Sequence, residues 1–185
     1  MLLTRIQSHI SAILRNNQNG FRGNRGTSEH ILAIRRLIET ISSSGSDGVF
    51  TFIDFKKAFD SINRSRMWKI LKAYGVSDKV ISQIRAMYFE TSAAVKTSDG
   101  ISDFFSIETG VLQGDNLAPF LFVIMIDYVM SSALDKIKKQ NLEIGIILQE
   151  SKRVKIGRNP TVIEPAVRLS DLDFADDIVL LTIML

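Results

Sequence analysis

The run DLDFADDIVLL, residues 171–181, places two adjacent carboxylates, Asp176 and Asp177, inside an otherwise apolar, strand-like stretch. Successive side chains of a strand point to opposite faces. If one face is buried, both acids cannot reach water from the same strand. An unpaired buried carboxylate costs far more than a turn or a surface position would. The stretch therefore demands compensation: a tight turn that exposes both acids, a cationic partner, or a metal ion. A hairpin turn with two solvated aspartates satisfies the pattern as well, since Asp suits turns. Alone, the stretch leaves these readings open.

The rest of the chain narrows them. At 185 residues and 45% hydrophobic composition it can bury a real core in one domain or little more. It has no cysteine, which excludes disulfides and cysteine-type zinc sites and fits an intracellular protein. His9 and His30 form no ligand cluster in the sequence and read as surface or satisfied helix residues. Charge is uneven. Residues 1–100 carry 15 Lys+Arg against 8 Asp+Glu, and residues 101–185 carry 8 against 12. A basic half joined to an acidic half suits a polyanion partner beside a cation site, although a mixed surface could produce the same asymmetry. Arg5 interrupts the opening MLLTRIQSHISAIL, so no signal peptide is expected. Asp127 interrupts APFLFVIMIDYVM, which is too short to span a bilayer and reads as a buried core helix.

Periodicity predicts a helix over 2–15, a Gly- and Asn-rich loop NNQNGFRGNRG, and a helix over 28–43 capped by Thr27 or Ser28. VFTFIDF, 49–55, reads as a buried strand. Helices are expected over 64–74 and 78–90, with Gly75 ending the first and Ser77 capping the second. A hairpin should turn at Asp99–Gly100. A long helix over 117–139 follows, then strands and loops over 142–169 that include GRNP, and finally a strand–turn–strand around Asp176–Asp177. Helices interleaved with hairpins point to an α+β class with an antiparallel sheet.

Asp54 ends the first strand. An Asp-ending apolar strand paired in one sheet with an Asp-Asp turn would bring three carboxylates together. Three like charges repel unless divalent cations lie between them. Hard cations such as Mg²⁺ prefer such oxygen ligands and keep room for water and phosphate.

Four ordered stretches carry a family resemblance: NGFRGNRGTSEHI (19–31), FIDFKKAFDSI (52–62), GVLQGDNLAPFLF (110–122) and DLDFADDIVLL (171–181). The chain resembles the reverse transcriptase domain of non-LTR retrotransposons. The resemblance implies a polymerase palm, a ferredoxin-like antiparallel sheet backed by helices, over 49–185, and partial fingers over 1–48. It implies RNA-directed DNA polymerase activity: a primer 3′-OH attacks a dNTP on an RNA template, with two Mg²⁺ ions (Mn²⁺ as a substitute) at Asp54, Asp176 and Asp177. Phe59 matches the aromatic that excludes a ribose 2′-OH. Gln113 and Gly114 match residues at the incoming nucleotide. Arg22 and Arg25 match a basic fingertip suited to phosphate. Asp60 matches a structural position. Leu112 departs from the basic residue that many reverse transcriptases have there.

The family pattern also includes an Arg-Pro strand before the first helix, and a lysine-bearing segment, primer grip and thumb after the last hairpin. None is present in these 185 residues, so the chain reads as a fragment without a thumb. Its final strand is expected to be uncovered and prone to intermolecular pairing. The expected partners are an RNA template, a DNA primer and dNTP, with no membrane. The resemblance implies a nuclear location. A remnant that only binds nucleic acid, or a two-metal phosphodiesterase, are the alternative readings. Phe59 and the Gln113–Gly114 loop argue against the latter.

Overall fold

Each element follows from local patterning, and the sheet that carries the acidic hairpin follows from pairing distant strands. The computed structural model describes residues 2–142, 144–149, 152–155, 161–164 and 166–184. GRNP (157–160) and Leu185 lie outside the described residues. Two units separate: Met1–Asn16 with Phe55–Ser131, and Asn17–Asp54 with Ser132–Leu185.

In the first unit, α1 (Leu2–Ile13) buries Ile6 and Ile10, which lie on one helical face. Helix α3 (Arg64–Ala73) is capped by Asn63, whose side-chain oxygen accepts from the Arg66 N–H at 2.9 Å. It buries Met67, Ile70 and Leu71. Gly75 follows with φ of +78°, the left-handed conformation expected of a helix-ending glycine. Helix α4 (Asp78–Met87) begins after Ser77, but the Ser77 side chain makes no capping bond. It stops three residues short of the expected end, as the chain turns through Glu90 at φ of +49°.

Four short strands, β2 (Ser92–Ala93), β3 (Lys96–Thr97), β4 (Gly100–Ile101) and β5 (Phe105–Ser106), form the expected hairpin, with β3 pairing β4 and β2 pairing β5. Helix α5 (Ala118–Lys139) buries Phe120 through Ile124 without interruption, as a helix apolar on all sides should. Its Asp127 is only 2% exposed. Two partners resolve that burial. Arg15 donates from Nε at 3.1 Å and from its backbone N–H at 3.2 Å. Tyr74 donates its hydroxyl at 2.7 Å. Burial raises the Tyr74 pKa above its ordinary value, and the hydrogen bond to Asp127 adds to this.

In the second unit, α2 (Thr27–Ser44) starts one or two residues earlier than Thr27 or Ser28 capping would require. Gly26 occupies the cap, and the Glu29 side chain reaches back to accept the Gly26 N–H at 2.7 Å. Gly45, at φ of +68°, ends the helix by donating to the Ile41 carbonyl. Strand β1 (Asp47–Ile53) pairs with β11 (Asp177–Met184), and β11 pairs with β10 (Asp171–Phe174), all antiparallel, in the order β1–β11–β10. Two further antiparallel pairs join β6 (Ile146–Gln149) to β9 (Val167–Leu169) and β7 (Lys152–Lys155) to β8 (Thr161–Glu164). Leu37 and Ile41 of α2 pack with Leu172, Val179 and Leu181 of the sheet and Ile146 of β6.

Two expectations change. Strand β1 is half-buried at best, with Phe52 74% exposed, because it is an edge of this sheet rather than its centre. The final strand is covered over its first half: β11 pairs with β1 over Ile178–Met184 and with β10 over Asp177–Leu180, where Ile178 and Val179 are buried.

Asp127→Ala should destabilise the fold by about 3–5 kcal/mol in urea unfolding, since the Arg15 charge and the Tyr74 hydroxyl lose their shared buried partner. Tyr74 has a raised folded-state pKa, so the unfolded chain loses its tyrosine proton first as pH rises. Stability should therefore fall as pH climbs above about 10. Tyr74→Phe should remove that part of the alkaline slope, read from unfolding midpoints on either side of pH 10.

Candidate active site

Strand alternation decides which acids meet. Ile53 of β1 faces Ile178 of β11, and Phe174 of β10 faces Asp177. The pairing of β1 with β11 ends at Ile53 and Ile178, so Asp54 and Asp177 are the next residues beyond it at the same end of the sheet. Residues two apart share a face, so Asp54 and Asp177 lie on the same side as Phe52, Leu172, Phe174 and Val179. Asp54 and Asp177 are exposed, and both line a cavity of about 350 Å³ between this face and α2. Its other walls include His30, Ile31, Ile34, Phe52 and Phe174. Burial pushes the His30 pKa down, opposed by nearby Glu29 and reinforced by Arg25, so the ring is neutral at pH 7.

Asp176 sits in the turn before β11 and is half-buried. Among the described residues, no three acidic or histidine side chains close into a metal cage. The pair Asp54–Asp177 fits a hard divalent cation nonetheless. Mg²⁺ takes one or two protein carboxylates and fills its remaining positions with water and substrate phosphate.

The turn and the adjoining strand β10 are held from outside the sheet, by loop residues to which the sequence assigned no positioning role. Gln18 is fully buried. Its side-chain oxygen accepts the Ala175 N–H at 3.0 Å and the Gly20 N–H at 2.7 Å, and its side-chain nitrogen donates to the Ala175 carbonyl at 3.3 Å. The Asn19 N–H donates to Asp173 O at 2.8 Å, and the Asp173 N–H donates to Asn17 O at 3.0 Å, a parallel bridge along the outer edge of β10. Asn17 also donates its side-chain amide to the carbonyl of Asp171. A Cβ on Gly20 would come within 2.3 Å of the Ala175 nitrogen, so only glycine fits there. The expected fingertip cations lie in the same loop: Arg22 donates to Gln18 O at 2.9 Å and Arg25 to the Asn19 side-chain oxygen at 3.0 Å.

In the first unit, Phe59 is half-buried in a turn, and its ring stacks on Phe122 with centroids 4.4 Å apart and planes 13° apart. The glycine-punctuated loop is strapped to this turn. The Val111 N–H donates to Phe59 O at 3.0 Å, the Gly110 N–H to Ile62 O at 2.8 Å, and the Gln113 side-chain amide to an Asp60 carboxylate oxygen at 3.0 Å. Gly110 is the glycine that close approach demands, since its Cβ would meet Asp60 Cα at 2.7 Å. Gly114 answers a different need. A Cβ there would meet open space, but its φ of +92° is one that side chains resist. Arg64 ties the region together by donating to Gly110 O at 2.9 Å and to the Thr91 hydroxyl at 2.9 Å, with its guanidinium 5.0 Å from the centre of the Tyr88 ring. Burial lowers the Arg64 pKa, against an opposing effect of Tyr88. A lone arginine at a helix start offered no sequence signal for this role.

These arrangements bear comparison with known proteins. The chain is similar to the Retrovirus-related Pol polyprotein from type-1 retrotransposable element R2 of Popillia japonica, 26% identical over 83% of this chain and 21% of the relative. It is similar to that from type-2 retrotransposable element R2DM of Drosophila melanogaster, 25% identical over 70% of this chain and 12% of the relative. The chain thus spans about a fifth or less of these relatives. Both relatives agree with the non-LTR retrotransposon resemblance carried by the four sequence stretches. Its fold is similar to that of telomerase from Candida albicans, solved in complex with a fragment of telomeric RNA, with a TM-score of 0.64 at 12% identity over 98% of this chain and 30% of that one. Among the described residues, no helix is long and apolar enough to cross a membrane. The family described as reverse transcriptase (RNA-dependent DNA polymerase), whose members depend on divalent metal, matches residues 1–183, and the chain belongs to it.

Proposed function

We propose that this chain is the fingers–palm part of an RNA-directed DNA polymerase of a non-LTR retrotransposon, with partial fingers over 1–48 and palm over 49–185. The observation that carries the reading is the shared face and cavity of Asp54 and Asp177 at the end of the β1–β11–β10 sheet. Asp54, Asp176 and Asp177 are the metal-binding carboxylates. Two Mg²⁺ ions, when bound, supply charge stabilisation to the attacking and leaving oxygens of phosphoryl transfer. Asp54 and Asp177 hold their oxygens toward an open cavity, which leaves room for a triphosphate. Phe59, whose ring stacks on Phe122, is the residue that excludes a ribose 2′-OH. Gln113 and Gly114 meet the incoming nucleotide, and Arg22 and Arg25 contribute phosphate contacts. The partners are an RNA template, a DNA primer and dNTP, and the place of action is the nucleus.

Primer extension with all four dNTPs on RNA and DNA templates tests the reading. Extension should require Mg²⁺ or Mn²⁺, and Asp177→Asn should reduce it on the order of 10²–10³-fold, the loss typical of removing one element of a charge-stabilising site. Retained binding of template-primer with no extension would favour a nucleic-acid-binding remnant. Degradation of the primer would favour a phosphodiesterase.

Phe59→Val should raise ribonucleotide incorporation relative to deoxynucleotide. It also removes an aromatic stack worth about 0.5–1.5 kcal/mol, so the ratio of the two substrates is the informative quantity and not the rate. An unchanged ratio would assign Phe59 to packing alone.

A further inference from the structure

The acidic turn depends on a side chain outside its own hairpin. Ala175, the residue before Asp176, has φ of +58°, a conformation that a residue with a Cβ adopts at a cost. It is nearly fully buried. Its N–H and its carbonyl both engage the same side chain, that of Gln18, at 3.0 and 3.3 Å. An amide is the neutral side-chain group with an acceptor and a donor so placed that it can close both ends of one peptide residue. Gly20 lets the loop come this close, because any Cβ would overlap the Ala175 backbone. The neighbouring contacts of Asn17 and Asn19 run to Asp171 and Asp173, along β10 and away from the turn. Gln18 alone among these three loop residues grips Ala175 with its side chain.

We infer that Gln18 is a positioning residue for the metal-binding carboxylates: it holds Ala175 in its left-handed conformation and thereby sets the direction in which Asp176 and Asp177 leave the turn. This rests on the proposed metal role of those carboxylates. The mechanism is indirect: Gln18 bonds the backbone of Ala175 and acts on the two acids through it. A conformation that Ala175 resists by itself is kept by two hydrogen bonds from a fully buried amide. Without them the turn relaxes toward ordinary backbone angles and the two acids redirect.

The test compares the full chain with Gln18→Ala, Gln18→Met and Asn17→Ala. Gln18→Met keeps most of the buried volume and removes only the hydrogen bonds, so it remains informative if the alanine variant fails to fold. Asn17→Ala breaks a loop-to-β10 contact without touching Ala175. Two quantities are read: amide hydrogen exchange at Ala175 and at Phe50 in β1, and Mn²⁺ affinity by electron paramagnetic resonance. In Gln18→Met, exchange at Ala175 should rise about tenfold or more, the equilibrium equivalent of one lost buried hydrogen bond, while Phe50 stays within about twofold of wild type. Mn²⁺ binding should weaken by a similar factor. Asn17→Ala should leave Ala175 exchange and Mn²⁺ affinity near wild type. The inference is overturned if Gln18→Met exchanges at Ala175 like wild type, if Phe50 rises equally, or if Asn17→Ala loses as much Mn²⁺ affinity. Wild type that binds no Mn²⁺ would overturn the metal reading and with it the assigned purpose of the clamp, while the exchange comparison would still report whether Gln18 holds the turn.

Discussion

The antiparallel pairing of β11 with β1 on one side and β10 on the other is the constraint on which the site depends. Its register is expressed in hydrogen bonds, and the burial of Leu172, Val179 and Leu181 against α2 selects it. A slip of one residue would turn every apolar side chain of β11 to the wrong face. The same slip would carry Asp177 away from Asp54. The core that stabilises the sheet and the geometry that gathers the two acids are therefore set by one choice of register. An acidic residue at such a position is tolerated because it falls at the sheet's end, beyond the last buried pair, where the cavity opens.

The chain treats the acids set among hydrophobic residues in two ways. Asp127 lies in the most apolar helix of the molecule and is neutralised locally by Arg15 and Tyr74, so its role is structural. Asp54 and Asp177 are exposed, and both line one cavity at the end of the sheet. The contrast separates an acid that folding has satisfied from acids that keep their coordination capacity for something else. A purely sequence-based inspection gives all of them the same appearance: an Asp set among hydrophobic residues.

Loop residues carry much of the positioning. In one unit the Asn17–Gly20 segment runs beside β10 and grips Ala175. In the other, the Gly110–Gln113 segment is bonded to the turn that holds Phe59 and Asp60. Both segments contain a glycine, Gly20 and Gly110, at which an added Cβ would lie within 3 Å of backbone atoms. The acids and the aromatic thus sit in or beside turns, and glycine-bearing loops fix those turns. The arginines of the first loop spend at least one donor each on the loop itself, which orders the segment that the proposed function uses for phosphate.

What the sequence determined by itself was local. Apolar periodicity located α1 to α5 within a few residues, because burial of one helical face leaves a signature every three or four positions. An apolar, strand-like run broken by two adjacent acids identified the strand–turn–strand at Asp176–Asp177, and the four ordered motifs identified the family. Caps were read less well: Gly26 with Glu29 serves where Thr27 or Ser28 was expected, Asn63 caps α3 where no cap was named, and Ser77 precedes α4 without a side-chain capping bond. Only tertiary structure decided that β1 is an edge with Phe52 exposed and that β11 is central, because strand order is set by which faces can be buried together and not by the hydrophobicity of one strand. The Gln18 clamp belongs to the same class. Its two partners are 157 residues apart, and a buried amide's value lies wholly in the groups that folding brings to it.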